Sequence, residues 1–166
     1  SGFSGEIGHF PLLNNGRICH CGKTGCLETG ASGSAVHQLF MERLQEGRTS
    51  MLSEKFNKGE KIHIEEIIDA VNEEDVLAIE VIEEIGAVLG RAIAGLINLF
   101  NPELIVIGGN VAATKEYLLL PIKSAIQKHS LNIINSDTTI KFSKLGKHAG
   151  TIGSCMLSRS KLLGLI

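Results

Sequence analysis

Three of the four cysteines of this 166-residue chain lie in one short stretch, and this cluster constrains the fold more than any other feature. Cys19, Cys21 and Cys26 are interrupted by Gly22 and Gly25. A secreted scaffold would spread its cysteines to join distant segments, and the first two thiols are too close for an unstrained disulfide. The N-terminal residues lack the pattern of a signal peptide. The cluster therefore predicts a metal site in a cytoplasmic, reducing environment.

The expected metal is a structural zinc ion, which takes four nitrogen or sulfur ligands in a tetrahedron. Three thiolates leave one ligand to be supplied by an imidazole, and His9 and His20 are the candidates. Geometry favours His9, because His20 lies between two ligands and its side chain is expected to point away. A site with four protein ligands has no open position for water, so it is not expected to be hydrolytic. The alternative is three free thiols in a turn.

Two carboxylates lie beside the predicted ligands. Glu6 precedes His9 by three residues and Glu28 follows Cys26 by two. Carboxylates on a metal-fixed loop can accept hydrogen bonds from hydroxyl groups in fixed directions, as recognition of a sugar requires. The alternative is that both are solvated surface side chains.

Residues 1–31 are expected to be irregular because glycines interrupt every periodicity, with a short extended piece near Phe10–Leu13. Beyond them the patterns predict helices at about 32–47, 64–71, 75–100, 114–129 and 150–163, and strands at 103–107 and 139–142. The first strand is expected to be buried and parallel. Pro121 is expected to kink or restart its helix, and Cys155 to be a buried thiol. The order of elements predicts an α/β fold with crossover connections.

The long helical pattern contains Gly86, Gly90 and Gly95. Glycine inside a helix costs about 1 kcal/mol relative to alanine, so their presence predicts close approach of another backbone. Packing within the core and contact with a second subunit are both open.

Charge and hydropathy exclude two classes of partner for this segment. Lys and Arg number 16 against 18 Asp and Glu, which gives a net charge of −2 and no basic footprint for nucleic acid. No apolar run reaches the roughly 20 residues that would span a bilayer.

The motifs Gly5-Glu6-x-Gly8-His9 and Cys19-x-Cys21-Gly22-x-x-Gly25-Cys26-Leu27-Glu28 resemble the signature of the ROK family of sugar kinases and sugar-responsive transcriptional regulators. The segment 97–109, which ends in Gly108-Gly109, is similar to the family's junction between a helix and the nucleotide-side glycine turn. The resemblance covers nearly the whole chain.

The resemblance implies that His9, Cys19, Cys21 and Cys26 bind structural zinc. It implies that Glu6, His9 and Glu28 contact a sugar or sugar phosphate, with His9 using opposite ring nitrogens for metal and sugar. Gly108 and Gly109 match the turn that approaches adenosine in family kinases, although Asn110 stands where many kinases have a further glycine. The implied fold is the actin-like, ribonuclease H-like fold, of which residues 1–166 would form the C-terminal domain without its N-terminal partner. Residues 1–31 would be its zinc- and sugar-binding loop segment.

The chain lacks the family's Asp-x-Gly-x-Thr phosphate loop and its Asn-Asp pair, so no catalytic residue is assigned to it. The favoured interpretation is the sugar-sensing portion of a regulator, a homodimer whose DNA-binding domain lies upstream. Asn101 and the longer polar connection at 47–62 resemble the regulator branch. The alternative is the C-terminal half of a hexose or N-acetylhexosamine kinase that uses ATP and magnesium.

Overall fold

The computed structural model describes residues 4–165, which form helices packed around one long helix and a two-stranded parallel sheet. The elements in chain order are α1 (Glu28–Ala31), α2 (Gly33–Gln45), α3 (Ser53–Asn57), α4 (Ile64–Asn72), α5 (Val76–Phe100), β1 (Leu104–Ile107), α6 (Glu116–His129), α7 (Asn132–Asn135), β2 (Thr139–Phe142) and α8 (Ala149–Leu162). The five predicted helices and two predicted strands are confirmed, with bounds shifted by one or two residues in places. The additional helices α1, α3 and α7 span four or five residues, too few for a hydrophobic period to reveal.

Helix α5 organises the core because it contacts α1, α2, α4 and α6. Its N-terminus is capped by Asp75, whose carboxylate accepts a hydrogen bond from the Ala78 N–H at 2.9 Å. Its C-terminus ends at Asn101, which adopts the left-handed conformation with φ 43°. The fully buried side chains that pack on or beside α5 include Phe40, Ile67, Val71, Ile82, Ile97, Leu118 and Ile122.

Two of the three glycines of α5, Gly86 and Gly90, pack against helix α6. A Cβ on Gly86 would lie 2.7 Å from Pro121 Cγ, and one on Gly90 would lie 2.7 Å from both Ala125 Cβ and the Ile122 carbonyl oxygen. These glycines therefore serve packing within the chain rather than a subunit contact. The ring of Pro121 sits against Gly86 inside a continuous helix, so the expected restart at this proline is wrong.

Strand β1 pairs with β2 in parallel, with Leu104 opposite Thr139 and Ile107 opposite Phe142. Helix α6 lies on the connection between them, as the crossover interpretation predicts. The expectation that β1 is buried is wrong for half of its residues, because Leu104 is 49% exposed and Val106 57% exposed. Within residues 4–165, helices cover only the face of the sheet that carries Ile105 and Ile107.

Helix α8 contains no buried residue, so the expectation that Cys155 is buried is also wrong. No helix in the described part of the chain is both long and apolar enough to cross a membrane.

Replacing Gly90 by alanine should destabilise the protein by about 1–3 kcal/mol, because the new methyl group would overlap α6 backbone that cannot move freely. Gly95 is the matched control in the same helix. A Cβ there meets nothing within 4 Å, so Gly95→Ala should stabilise by up to about 1 kcal/mol. Urea denaturation measures both free energies of unfolding. Equal effects of the two substitutions would show that α6 does not pack closely at Gly90.

Candidate metal and ligand site

The loop before α1 is folded by backbone turns that bring its cysteines together. The Gly22 N–H donates to the Cys19 carbonyl and the Cys19 N–H to the Lys23 carbonyl, both at 2.8 Å. Gly25 has φ +75°, and a Cβ there would overlap the Leu13 carbonyl oxygen. Only glycine fits this position, which lets the chain fold back so that Cys26 faces the turn.

One ligand atom from each of His9, Cys19, Cys21 and Cys26 lies within 4.8 Å of every other. His9 Nδ1 is 3.5 Å from Cys19 Sγ, and Cys21 Sγ is 3.6 Å from Cys26 Sγ. With metal–sulfur bonds of about 2.3 Å and metal–nitrogen bonds of about 2.0 Å, the edges of a tetrahedral zinc site are about 3.5–3.8 Å. The donor types and these separations fit a metal ion. His20 is exposed and does not belong to this group of four.

The thiols of this group differ in acidity. A hydrogen bond from the Lys23 backbone lowers the pKa of exposed Cys21 below its usual range. Burial raises the pKa of Cys26, which is 0% exposed, to about 11. A thiol as protonated as Cys26 becomes a metal ligand only by losing its proton, so metal binding at this group is linked to proton release.

His9 has two ring nitrogens that face different groups. Nδ1 faces the Cys19 sulfur, and Nε2 lies 3.8 Å from Glu6 Oε2. The side chains of His9 and Glu6 are 43% and 69% exposed, so both remain accessible beside the sulfur cluster. A ring held at Nδ1 presents Nε2 outward in a fixed direction.

Glu28 is the first residue of α1 and is half-buried. A Cβ on Gly8 would lie 3.2 Å from Glu28 Oε2, so the carboxylate lies directly against the backbone of the turn that carries His9. The structure thus brings Glu28 beside the Glu6–His9 segment. Its assignment as a sugar ligand remains a prediction.

Glu28 also lines a cavity of about 390 Å³ that extends to the glycine turn after β1. Gly108 and Gly109 line this cavity together with Ile85 and Leu89 of α5. The residues expected on the sugar side and on the nucleotide side therefore share one cavity. Gly109 and Asn110 also line a second, larger cavity of about 460 Å³, together with Glu65, Asp69, Lys115 and Lys144 among others.

Arg17 is a site residue that the sequence interpretation missed. Its guanidinium donates to Glu42 Oε2 in α2 at 2.5 Å and to the Thr29 carbonyl in α1 at 3.4 Å. No periodicity or spacing links a loop arginine to a carboxylate 25 positions away, so no sequence signal could have identified this pair.

The ROK family model matches residues 1–161 of the chain. A glucokinase from Halalkalibacterium halodurans is 36% identical over 97% of this chain and 49% of its own length. The N-acetylglucosamine repressor of Escherichia coli O157:H7 is 37% identical over the whole chain and 40% of its own length. The crystal structure of a ROK family transcriptional regulator, a homologue of the E. coli MLC protein, is 41% identical with a TM-score of 0.76; the match covers 84% of this chain and 34% of that one. The chain thus spans half or less of the length of these relatives.

In metal-free protein at neutral pH, iodoacetamide should alkylate Cys21 at least about tenfold faster than Cys26. Cys21 is exposed with a lowered pKa, whereas Cys26 is buried with a pKa of about 11, and the thiolate is the reactive form. Peptide mass spectrometry measures both rates, with exposed Cys155 as the reference thiol. The reaction of Cys26 should accelerate as the pH rises toward 11. Similar rates for both thiols at pH 7 would contradict these differences in burial and acidity.

Proposed function

Because this chain belongs to the ROK family, we propose that it is the sugar-binding portion of a sugar-responsive transcriptional regulator with a structural zinc ion. The observation that carries the proposal is that Glu6 and Glu28 lie beside His9, a member of the predicted metal group. Glu28 also lines a cavity. DNA binding would belong to another part of the whole protein. A homodimer and a cytoplasmic location are parts of the same proposal.

His9, Cys19, Cys21 and Cys26 would hold the zinc ion, which would fix the loop and the His9 tautomer. With Nδ1 bound to the metal, the imidazole would carry its proton on Nε2. This N–H would donate a hydrogen bond to a sugar hydroxyl. The carboxylates of Glu6 and Glu28 accept hydrogen bonds from neighbouring hydroxyls. Hydrogen bonds to charged groups are the strong ones, and two carboxylates on separate backbone segments fix the orientation of a sugar ring.

The regulator interpretation is supported by the 41% identity to the solved regulator and by Asn110, which follows Gly108-Gly109. Asn110 Nδ2 also donates to Glu65 Oε1 at 3.4 Å, which connects the turn to α4.

The second candidate is one half of an ATP-dependent sugar kinase, favoured by the 36% identity to a glucokinase and by the size of the cavity beside Gly109. The two candidates differ in one assay on the full-length protein. A kinase converts sugar and ATP to sugar phosphate and ADP, whereas a regulator binds sugar without turnover and alters DNA binding in a gel-shift assay.

Metal analysis of the purified protein should give about one zinc ion per chain. Cys26→Ser should remove the metal, because Cys26 would supply one of four ligands. Cys155→Ser is the matched control and should retain it, since that thiol lies in α8 outside the donor group. Folded protein free of metal would exclude the zinc assignment.

Changing Glu28 or Glu6 to alanine in the full-length protein should weaken sugar binding at least about tenfold. A hydrogen bond to a charged group contributes about 1.5–3 kcal/mol, and 1.4 kcal/mol corresponds to tenfold in affinity. Calorimetry with glucose and N-acetylglucosamine measures the effect, and exposed Glu60→Ala serves as the control. Affinity retained within about twofold would remove that carboxylate from the site.

A further inference from the structure

The guanidinium of Arg17 joins three segments around the candidate site. It donates through Nη2 to Glu42 in α2 and through Nη1 to the Thr29 carbonyl in α1. The Arg17 and Glu42 side chains are 24% and 37% exposed, so the ion pair is partly shielded from water. Shielding strengthens such a pair relative to a fully solvated one. The loop that carries the cysteines is therefore tied to the helical core at Arg17.

Both the hydroxyl and the carbonyl of Thr29 form hydrogen bonds in this arrangement. Its hydroxyl accepts a hydrogen bond from Asn15 Nδ2 at 3.0 Å and donates to the Cys26 carbonyl at 2.8 Å. Asn15 Oδ1 in turn accepts from the Arg17 backbone N–H at 3.1 Å. The network closes on itself, and we call Asn15, Arg17, Thr29 and Glu42 the Arg17 clamp.

The four donors of the metal group do not include Glu28, which begins the helix that follows Cys26. The group contacts this helix at the Cys26 carbonyl, which accepts hydrogen bonds from the Thr29 N–H and hydroxyl. The side chain of Glu28 is directed by α1, and α1 is only four residues long. A helix of one turn has little stability of its own, so its orientation depends on contacts from outside it. The clamp supplies such contacts at Thr29, the residue next to Glu28.

We propose that Arg17 is a positioning residue that orients Glu28 for the sugar through Thr29, in addition to the metal group that would orient His9. The proposal rests on the proposed sugar-binding function. It requires arginine, because the planar fork of the guanidinium reaches two acceptors at once. Lysine carries a compact ammonium group on a flexible stem, which cannot present two donors in the fixed directions of this fork.

The test compares Arg17→Lys with the unaltered full-length protein loaded with metal. Arg17→Lys should weaken binding of glucose or N-acetylglucosamine roughly tenfold while zinc content stays unchanged, because a misplaced ligand loses well-oriented hydrogen bonds. The matched control is Arg48→Lys. Arg48 forms a similar pair with Glu80 at 2.6 Å, on α5 and away from the loop, so its replacement should leave sugar affinity unchanged.

A double-mutant cycle separates positioning from general structural damage. Because Arg17 acts through Glu28, Arg17→Lys should change affinity by less than about twofold in a Glu28→Gln background. In a Glu6→Gln background the roughly tenfold loss should persist. The same loss in both backgrounds would overturn the proposal.

Hydrogen exchange of the sugar-free protein tests the clamp without reference to sugar. The N–H groups of Thr29 and Gly30 donate to the carbonyls of Cys26 and Leu27. Their exchange should be at least about fivefold faster in Arg17→Lys than in Arg48→Lys, because the loosened helix opens more often. Unchanged exchange would overturn the role of Arg17 in holding α1. Failure of the unaltered protein to bind any hexose or N-acetylhexosamine would instead overturn the proposed function. The exchange rates would still test whether Arg17 holds α1.

Discussion

The convergence of one imidazole and three thiols is the interaction on which the rest of the candidate site depends. The loop that carries them has little apolar core: Phe10, Leu12 and Ile18 are exposed, whereas Cys19 and Cys26 are buried. Backbone turns and side-chain hydrogen bonds therefore stabilise this loop, whereas hydrophobic packing stabilises the helices. The buried thiols of Cys19 and Cys26 lie where a metal ion would bind the loop from inside.

Around this loop, the two carboxylates reach the site by different routes. Glu6 lies in the same turn as His9, with its carboxylate 3.8 Å from the ring. Glu28 belongs to a separate short helix, whose Thr29 bonds both to the Cys26 carbonyl and to Arg17, which is paired with Glu42 of α2. The two carboxylates therefore lie on two segments with different sets of supporting contacts.

The long helix α5 connects the close contact with α6 to the cavity. Gly86 and Gly90 admit α6 closely, and Ile85 of α5 and Leu118 of α6 both line the cavity. The same long helix leads into β1 and so into the Gly108-Gly109 turn. Because packed interiors have few voids, the approach of α6 to α5 bears on where these lining side chains lie.

Local spacing and periodicity were enough to predict the candidate donor group, the main helices and strands, and the resemblance to the family. The predicted burial of β1 and of Cys155 was wrong. Burial depends on which elements cover a strand or helix, and the local sequence pattern does not contain that information. The folded structure was needed to show that His9 directs Nδ1 toward the Cys19 sulfur, that Arg17 reaches Glu42, and that Glu28 shares a cavity with Gly108. The first contact depends on how the loop folds back on itself, and the other two join distant positions that meet because of how the helices pack.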